Sequence, residues 1–276
     1  VRKALLAPIR PSIGVERAYQ KRLDHWIKAM QADIMATIEQ VYGEHTASSE
    51  REFSVNVALD ASPAENLAEA LRNLRRKWTD GFDRLAPDLA AYFATAAKDR
   101  TDMQLRAALR KAGFTIKFSW TPEVRDITQA AIAENVNLIK SIPSQHFTQI
   151  EGDVMRAVQV GGKLGPLADK LEHQYGVTRR RAALIARDQN RKANAVIEKS
   201  RQQELGITQA IWKHSAGGKH PRPSHVKAGR DGVVYNVADG WYDPDAKMRV
   251  WPGTLINCRC WCRSVLPGLA GYQKAA

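Results

Sequence analysis

Between residues 13 and 42, Val15, Ala18, Leu23, Trp26, Ile27, Met30, Ile34, Ile38 and Val41 follow one another mostly at steps of three and four, with charged residues between. That spacing puts the apolar side chains on one face of a helix. The stretch Gly43 to Pro63 breaks the pattern with Gly, Ser, Asn and Pro and reads as a loop, in which Phe53–Val57 alternates like a short strand. From Ala64 to Ala112 the helical period returns and predicts two or three helices, with Pro87 marking a start or a kink. Phe114 to Trp120 alternates apolar and polar residues and predicts a half-buried strand. Thr121 and Pro122 then open a helix expected to stop at Pro143, followed by helices over 145–160, 166–174 and 178–205.

Past Gly206 the helical period is lost and Gly, Pro, His, Trp and Cys accumulate. Ile207–Trp212, Gly232–Tyr235 and Asn257–Ser264 read as strands, the last with all three thiols on one face. The expected fold is mainly α: helical N-terminal and middle regions carrying a small, loop-rich C-terminal α+β module. The expected division is an N-terminal helical region over 1–120, a docking arm or bundle, and a second domain over 121–276, with helices to 205 and the β-containing module over 206–268.

Composition narrows the class of function. The 276 residues carry 42 Lys and Arg against 29 Asp and Glu, a net charge of +13, which points to an anionic partner. The bland reading of the same numbers is that these side chains solvate helix faces. No apolar run approaches the ~20 residues of a membrane span, and the first residues lack the sustained apolar core of a signal peptide, so neither a membrane nor a signal-directed secretory route is expected. Cys258, Cys260 and Cys262 lie too close together to staple distant segments, which leaves them free or on a metal in a reducing compartment.

Those thiols share a region with His214, His220 and His225. Thiolates and imidazoles suit structural zinc, and Cys258 and Cys260 on one face complete a site with His225 and either His214 or His220. No pair of cysteines has the two-residue spacing of a zinc finger, and buried small thiols beside hydrogen-bonding histidines are the alternative. A Cys/His nucleophile, with Asp188 or Asp231 orienting the imidazole, is a further reading, but no catalytic or nucleotide-binding motif accompanies it, and the chain is not expected to be an enzyme. The other feature is basic: between Val177 and Arg201 eight Lys and Arg face two acidic residues. Arg180, Arg187 and Arg191 fall at helical spacing, a stripe suited to phosphates without sequence preference. Arg179, Arg180 and Arg181 read as solvated and anion-facing; Arg187, although part of the stripe, reads together with Asp188 as a fastening of the helix to the C-terminal module.

The order Ala186-Arg187-Asp188-Gln189, Gly206-Ile207, Trp212, Arg222-Pro-Ser-His225, Pro252-Gly253 and Asn257-Cys258-Arg259-Cys260 resembles the phage head morphogenesis, or Mu F-like, family over about residues 120–268. The resemblance implies a minor head protein of a tailed bacteriophage, present in few copies inside the virion and assembled in the host cytoplasm. Its implied partners are the portal, the major capsid protein and packaged double-stranded DNA. Members often carry an acidic residue between the Trp and the Arg-Pro-Ser-His segment; here Trp212 to His225 contains none. The competing expectation is a phage-borne nucleic-acid-processing enzyme or effector, whose extra module is expected, if anywhere, in the N-terminal 120 residues, although their regular amphipathic pattern favours a bundle or a docking arm.

Overall fold

The computed structural model describes residues 5–49, 63–159, 164–218 and 220–266. Five helices dominate these residues: α1 (Ile13–Ser49), α2 (Pro63–Lys111), α3 (Pro122–Gln159), α4 (Leu164–Glu204) and the short α5 (Pro223–Asp231). Strands β1 (Gln209–Lys213), β2 (Val234–Asn236) and β5 (Trp261–Val265) form one antiparallel sheet in the order β2-β1-β5, and β3 (Trp241–Asp243) pairs with β4 (Met248–Val250) in a second. The expected class, mainly helical with a small C-terminal α+β module, is the one observed.

Several boundaries differ from the sequence expectation. Helix α1 continues through Gly43 to Ser49, and the segment Phe53–Val57 lies outside the described residues. Residues 63–111 make one helix, not two or three, with Pro87 inside it. Helix α3 likewise passes through Pro143, and α4 spans the two helices expected at 166–174 and 178–205. A helix-interior proline removes one hydrogen bond and costs about 3 kcal/mol. Ile139, Ile142, Phe147 and Ile150 continue one buried face across Pro143, and each contributes about 1.5–3 kcal/mol, so burial outweighs the break. Phe114–Trp120 pairs with no strand; the alternation correctly marks Ile116 and Phe118 as the inward residues of an extended connection.

The chain forms two compact units. One comprises Tyr19–Leu89 and Asn135–Ala183. Its interior is built from α1 residues Leu23, Ile27, Met30 and Ile34 and from the buried face of α3, with Trp26, Trp78 and Phe82 meeting edge to face or at a tilt. Asp33 accepts from both Lys77 Nζ at 2.6 Å and Trp78 Nε1 at 3.1 Å.

The other unit comprises Val1–Ala18, Ala90–Glu134 and Leu184–Ala276 and contains both sheets. The N-terminal segment joins the sheet: Leu6 N donates to Ser264 O at 3.0 Å, and Arg263 Nε donates to Leu6 O at 3.2 Å. Leu6, Ile9, Leu105, Leu109, Ile207 and Trp212 share one core with the C-terminal strands. Beside it lies a buried ionic group. Arg201, with a fully buried side chain, donates to both carboxylate oxygens of Asp102 at 2.8 and 2.9 Å and reaches Glu204 at 2.8 Å, while Lys98 stands 3.1 Å from Asp102. The guanidinium also lies over the Phe118 ring at 4.7 Å.

Removing one partner of a buried pair leaves an uncompensated charge. Asp102→Ala leaves Arg201 with Glu204 and Lys98 with the exposed Asp99 but removes the buried carboxylate they share, and is expected to destabilise this unit by about 3 kcal/mol in denaturant unfolding. A loss below about 1 kcal/mol contradicts the role given to this network.

Candidate metal centre

Helix α5 carries His225 into the interior. Pro223 at its start has no N–H to leave unpaired, and Gly232 ends it in the left-handed conformation at φ 61°. Gly229 lets the helix press onto the end of β1: a Cβ there falls 2.4 Å from His214 Cβ and 2.6 Å from His214 N, closer than any side chain tolerates. The ring of His225 is walled by Trp212 at 4.9 Å and Trp241 at 6.1 Å between centroids.

One hydrogen bond orients that ring. His225 Nε2 lies 2.9 Å from Asp243 Oδ2, both side chains buried. Asp243 is held in turn by the backbone N–H of Asp245 at 3.0 Å. With Nε2–H donating to the carboxylate, Nδ1 presents its lone pair to the opposite side, where Cys258 Sγ and Cys260 Sγ stand 3.5 and 3.7 Å away. His225, Cys258 and Cys260 are the His/Cys group whose donor atoms lie within 4.8 Å of one another, all three residues buried.

The cysteine loop is positioned from α4. Asp188 accepts from Asn257 N at 3.2 Å through both carboxylate oxygens, and Arg187 Nη2 donates to Asn257 Oδ1 at 3.2 Å. Asn257 sits at φ 60°, a left-handed conformation that asparagine adopts more readily than most residues. The next residue, Cys258, receives the N–H of Gly253 on its sulfur at 3.3 Å. The fastening role expected for Arg187 and Asp188 is therefore what these contacts perform.

Without a metal, the three donors differ in protonation: Cys258 is held toward the thiolate, while Cys260 and His225 are held toward their protonated forms, so a metal must displace those protons to bind. A hydrogen bond from the Cys260 thiol, opposed by burial, holds the Cys258 thiol well below the ordinary thiol range. The Cys260 thiol, donating to that sulfur in a buried place, is pushed up. A thiolate is what a metal binds. Zinc–sulfur and zinc–nitrogen bonds of about 2.3 and 2.0–2.1 Å at a tetrahedral angle place the two donors about 3.6 Å apart, close to the two nitrogen–sulfur separations found here. A carboxylate on the far nitrogen of a ligating histidine is the usual support for such a site. These residues can hold a metal.

The expected strand over Asn257–Ser264 is shorter, starting at Trp261, and this changes the fate of the third thiol. Cys258 and Cys260 lie before the strand and turn to His225. Cys262, inside it, faces α4, donating to Glu198 Oε1 at 3.4 Å and receiving Gln202 Nε2 at 3.4 Å. The three thiols do not share one face as expected, although all three are buried.

His214 lines the cavity beside the cluster, but its Nδ1 accepts from Ala216 N at 3.2 Å and it is not part of the compact group. His220 is exposed and lines the same cavity. The orienting carboxylate is neither Asp188 nor Asp231, which pairs with Arg230 at 3.0 Å; it is Asp243, which no motif in the sequence singles out. On α4, Arg179 is ion-paired with Asp24 at 3.4 Å and Arg180 is exposed. Arg181 corrects the expectation of a solvated side chain: half-buried, it donates to Ser141 Oγ at 2.8 Å. Arg191 is half-buried with Nη1 lacking a partner among the described residues.

Residues 148–263 match the family described as Phage Mu protein F like protein, so the resemblance read from the sequence holds over that segment, which contains all three clustered residues. An uncharacterized protein of Haemophilus influenzae is 29% identical over 259 residues, covering 92% of this chain and 54% of that protein. The chain thus spans about half the length of this relative. No solved structure matches.

Glu198 supplies a pH test independent of the metal. Burial pushes its carboxyl up to about 8, with the Cys262 hydrogen bond working the other way. The folded protein therefore keeps a proton that the unfolded chain releases near pH 4.5, and stability falls as pH rises from about 4.5 to about 8, by up to about 1.4 kcal/mol per unit. Glu198→Gln removes this slope and raises the melting temperature at pH 8 relative to wild type. Identical pH profiles for the two proteins contradict a buried, protonated Glu198.

Proposed function

We propose that the chain is a minor head protein of a tailed bacteriophage, attached to the portal or the inner capsid surface and acting in head morphogenesis and in DNA packaging and ejection. The observation that carries this reading is a coincidence of two findings. The segment similar to the Mu F-like family is also the segment in which α4, α5 and the cysteine loop converge on the His225–Cys258–Cys260 cluster. Zinc at that cluster pins α5 to the cysteine loop, making the C-terminal module a folded unit whose role is structural rather than catalytic. Non-specific contact with packaged DNA is assigned to exposed Arg179 and Arg180 on α4, with the overall charge of +13 supplying attraction at longer range. No described helix is long and apolar enough to cross a membrane.

Quantitative mass spectrometry of purified particles tests the assignment. The chain is expected in few copies per particle, cross-linked to portal or capsid protein; its absence from particles of the phage that encodes it contradicts the reading. DNA contact has its own readout. Binding to duplex DNA of unrelated sequences should be similar and should weaken steeply between 50 and 200 mM salt, by at least ~10-fold for several phosphate contacts. Affinity insensitive to salt removes phosphate contact and leaves attachment to head proteins alone.

A further inference from the structure

Three protein donors leave a tetrahedral metal with one position to fill, and the surroundings of that position are basic. His225, Cys258 and Cys260 all face one cavity of about 280 Å³. Its wall also includes Arg222, Arg259, His214 and His220, and no Asp or Glu lines it among the described residues. Arg222 Nη2 donates to Ile256 O at 3.1 Å and Arg259 Nη1 donates to Gly217 O. Each of these bonds anchors a guanidinium while using only one of its five N–H groups.

The basic character continues behind the cavity. Asn257 in its wall accepts from Arg187, whose Nε is buried without a partner among the described residues, as is Nη1 of Arg191. Burial first, and then repulsion from Arg259 and Arg187, disfavour the charged form of Arg191. Asp188, the neighbouring acid, is engaged by Asn257 N. Glu16 and Asp188 offset part of this repulsion, an anion in the cavity relieves more of it, and arginine forks match the oxygens of a phosphate.

We propose that this cavity is a phosphate site in which one phosphate oxygen takes the fourth position on the metal and Arg222 and Arg259 hold the others. The site rests on metal occupancy of the triad as proposed above. A phosphate fits the arrangement better than a carboxylate, because three separate groups each require an oxygen and a carboxylate has two. Free phosphate, a terminal nucleotide phosphate and the DNA backbone share this chemistry.

Cobalt(II) in place of zinc makes the site visible, since its absorption spectrum reports the ligand set. Full-length protein is loaded with cobalt, its metal content measured, and the sample titrated separately with inorganic phosphate, a 5′-phosphorylated oligonucleotide and a blunt duplex lacking terminal phosphates. A saturable spectral change with at least one of the three is expected. A response to inorganic phosphate identifies a small-anion site, one confined to the 5′-phosphorylated strand an end-binding site, and one to the duplex a backbone contact. Arg222→Ala and Arg259→Ala should each weaken the response about tenfold or more while metal content stays unchanged. His214→Ala should keep its metal.

A metal-loaded protein indifferent to all three ligands overturns the phosphate site and leaves the metal reading intact. Loss of metal from His214→Ala with the fold retained also overturns it, because the imidazole then fills the fourth position. A chain that binds neither cobalt nor zinc removes the metal reading, and the phosphate site with it.

Discussion

The buried hydrogen bond between His225 and Asp243 decides which imidazole nitrogen faces the two thiols, and the C-terminal module is built to hold it. At 2.9 Å, with both side chains excluded from water, the bond fixes ring orientation and tautomer together. The surrounding structure serves that placement. Trp212 and Trp241 confine the ring, and Gly229 lets α5 approach β1 closely enough to bring His225 inside. Asp188 and Arg187 hold Asn257 in the conformation that delivers Cys258. A metal bound there ties α5 to the cysteine loop and contributes its binding free energy to folding, which suits a module with short strands.

The charge of the chain is used in physically different ways. Arg201 is sealed in the interior with Asp102 and Glu204, where it joins α4 to α2 within one unit and is unavailable to any partner. Arg187 spends its charge locally on a loop residue. Arg222 and Arg259 are anchored by backbone carbonyls at the rim of a cavity whose described lining residues include no Asp or Glu. Net charge thus overstates what is free to meet an anion, and the arginines placed to do so are not all on the most basic stretch of sequence.

The helical periodicity was legible wherever one face is buried over many turns, as at Leu23, Ile27, Met30 and Ile34. Prolines misled the reading, because the local cost at Pro143 is set against a buried stripe that continues on both sides of it. Of the candidate site, His225, Cys258 and Cys260 were readable as a donor set because soft ligands in one region have few other uses. Asp243 was not: a carboxylate in a Trp-Tyr-Asp-Pro turn has no spacing that ties it to a histidine 18 residues earlier, and only the packing of α5 against β3 brings them together. The joining of Leu6 to β5 was equally hidden, since the pairing links opposite ends of the chain.

Zinc content is the most direct test of this account. Protein purified without chelator and analysed by elemental mass spectrometry is expected to carry about one zinc per chain, lost on replacing Cys258 or Cys260 by Ser. Wild-type protein that folds fully and carries no metal, even after incubation with zinc, contradicts it.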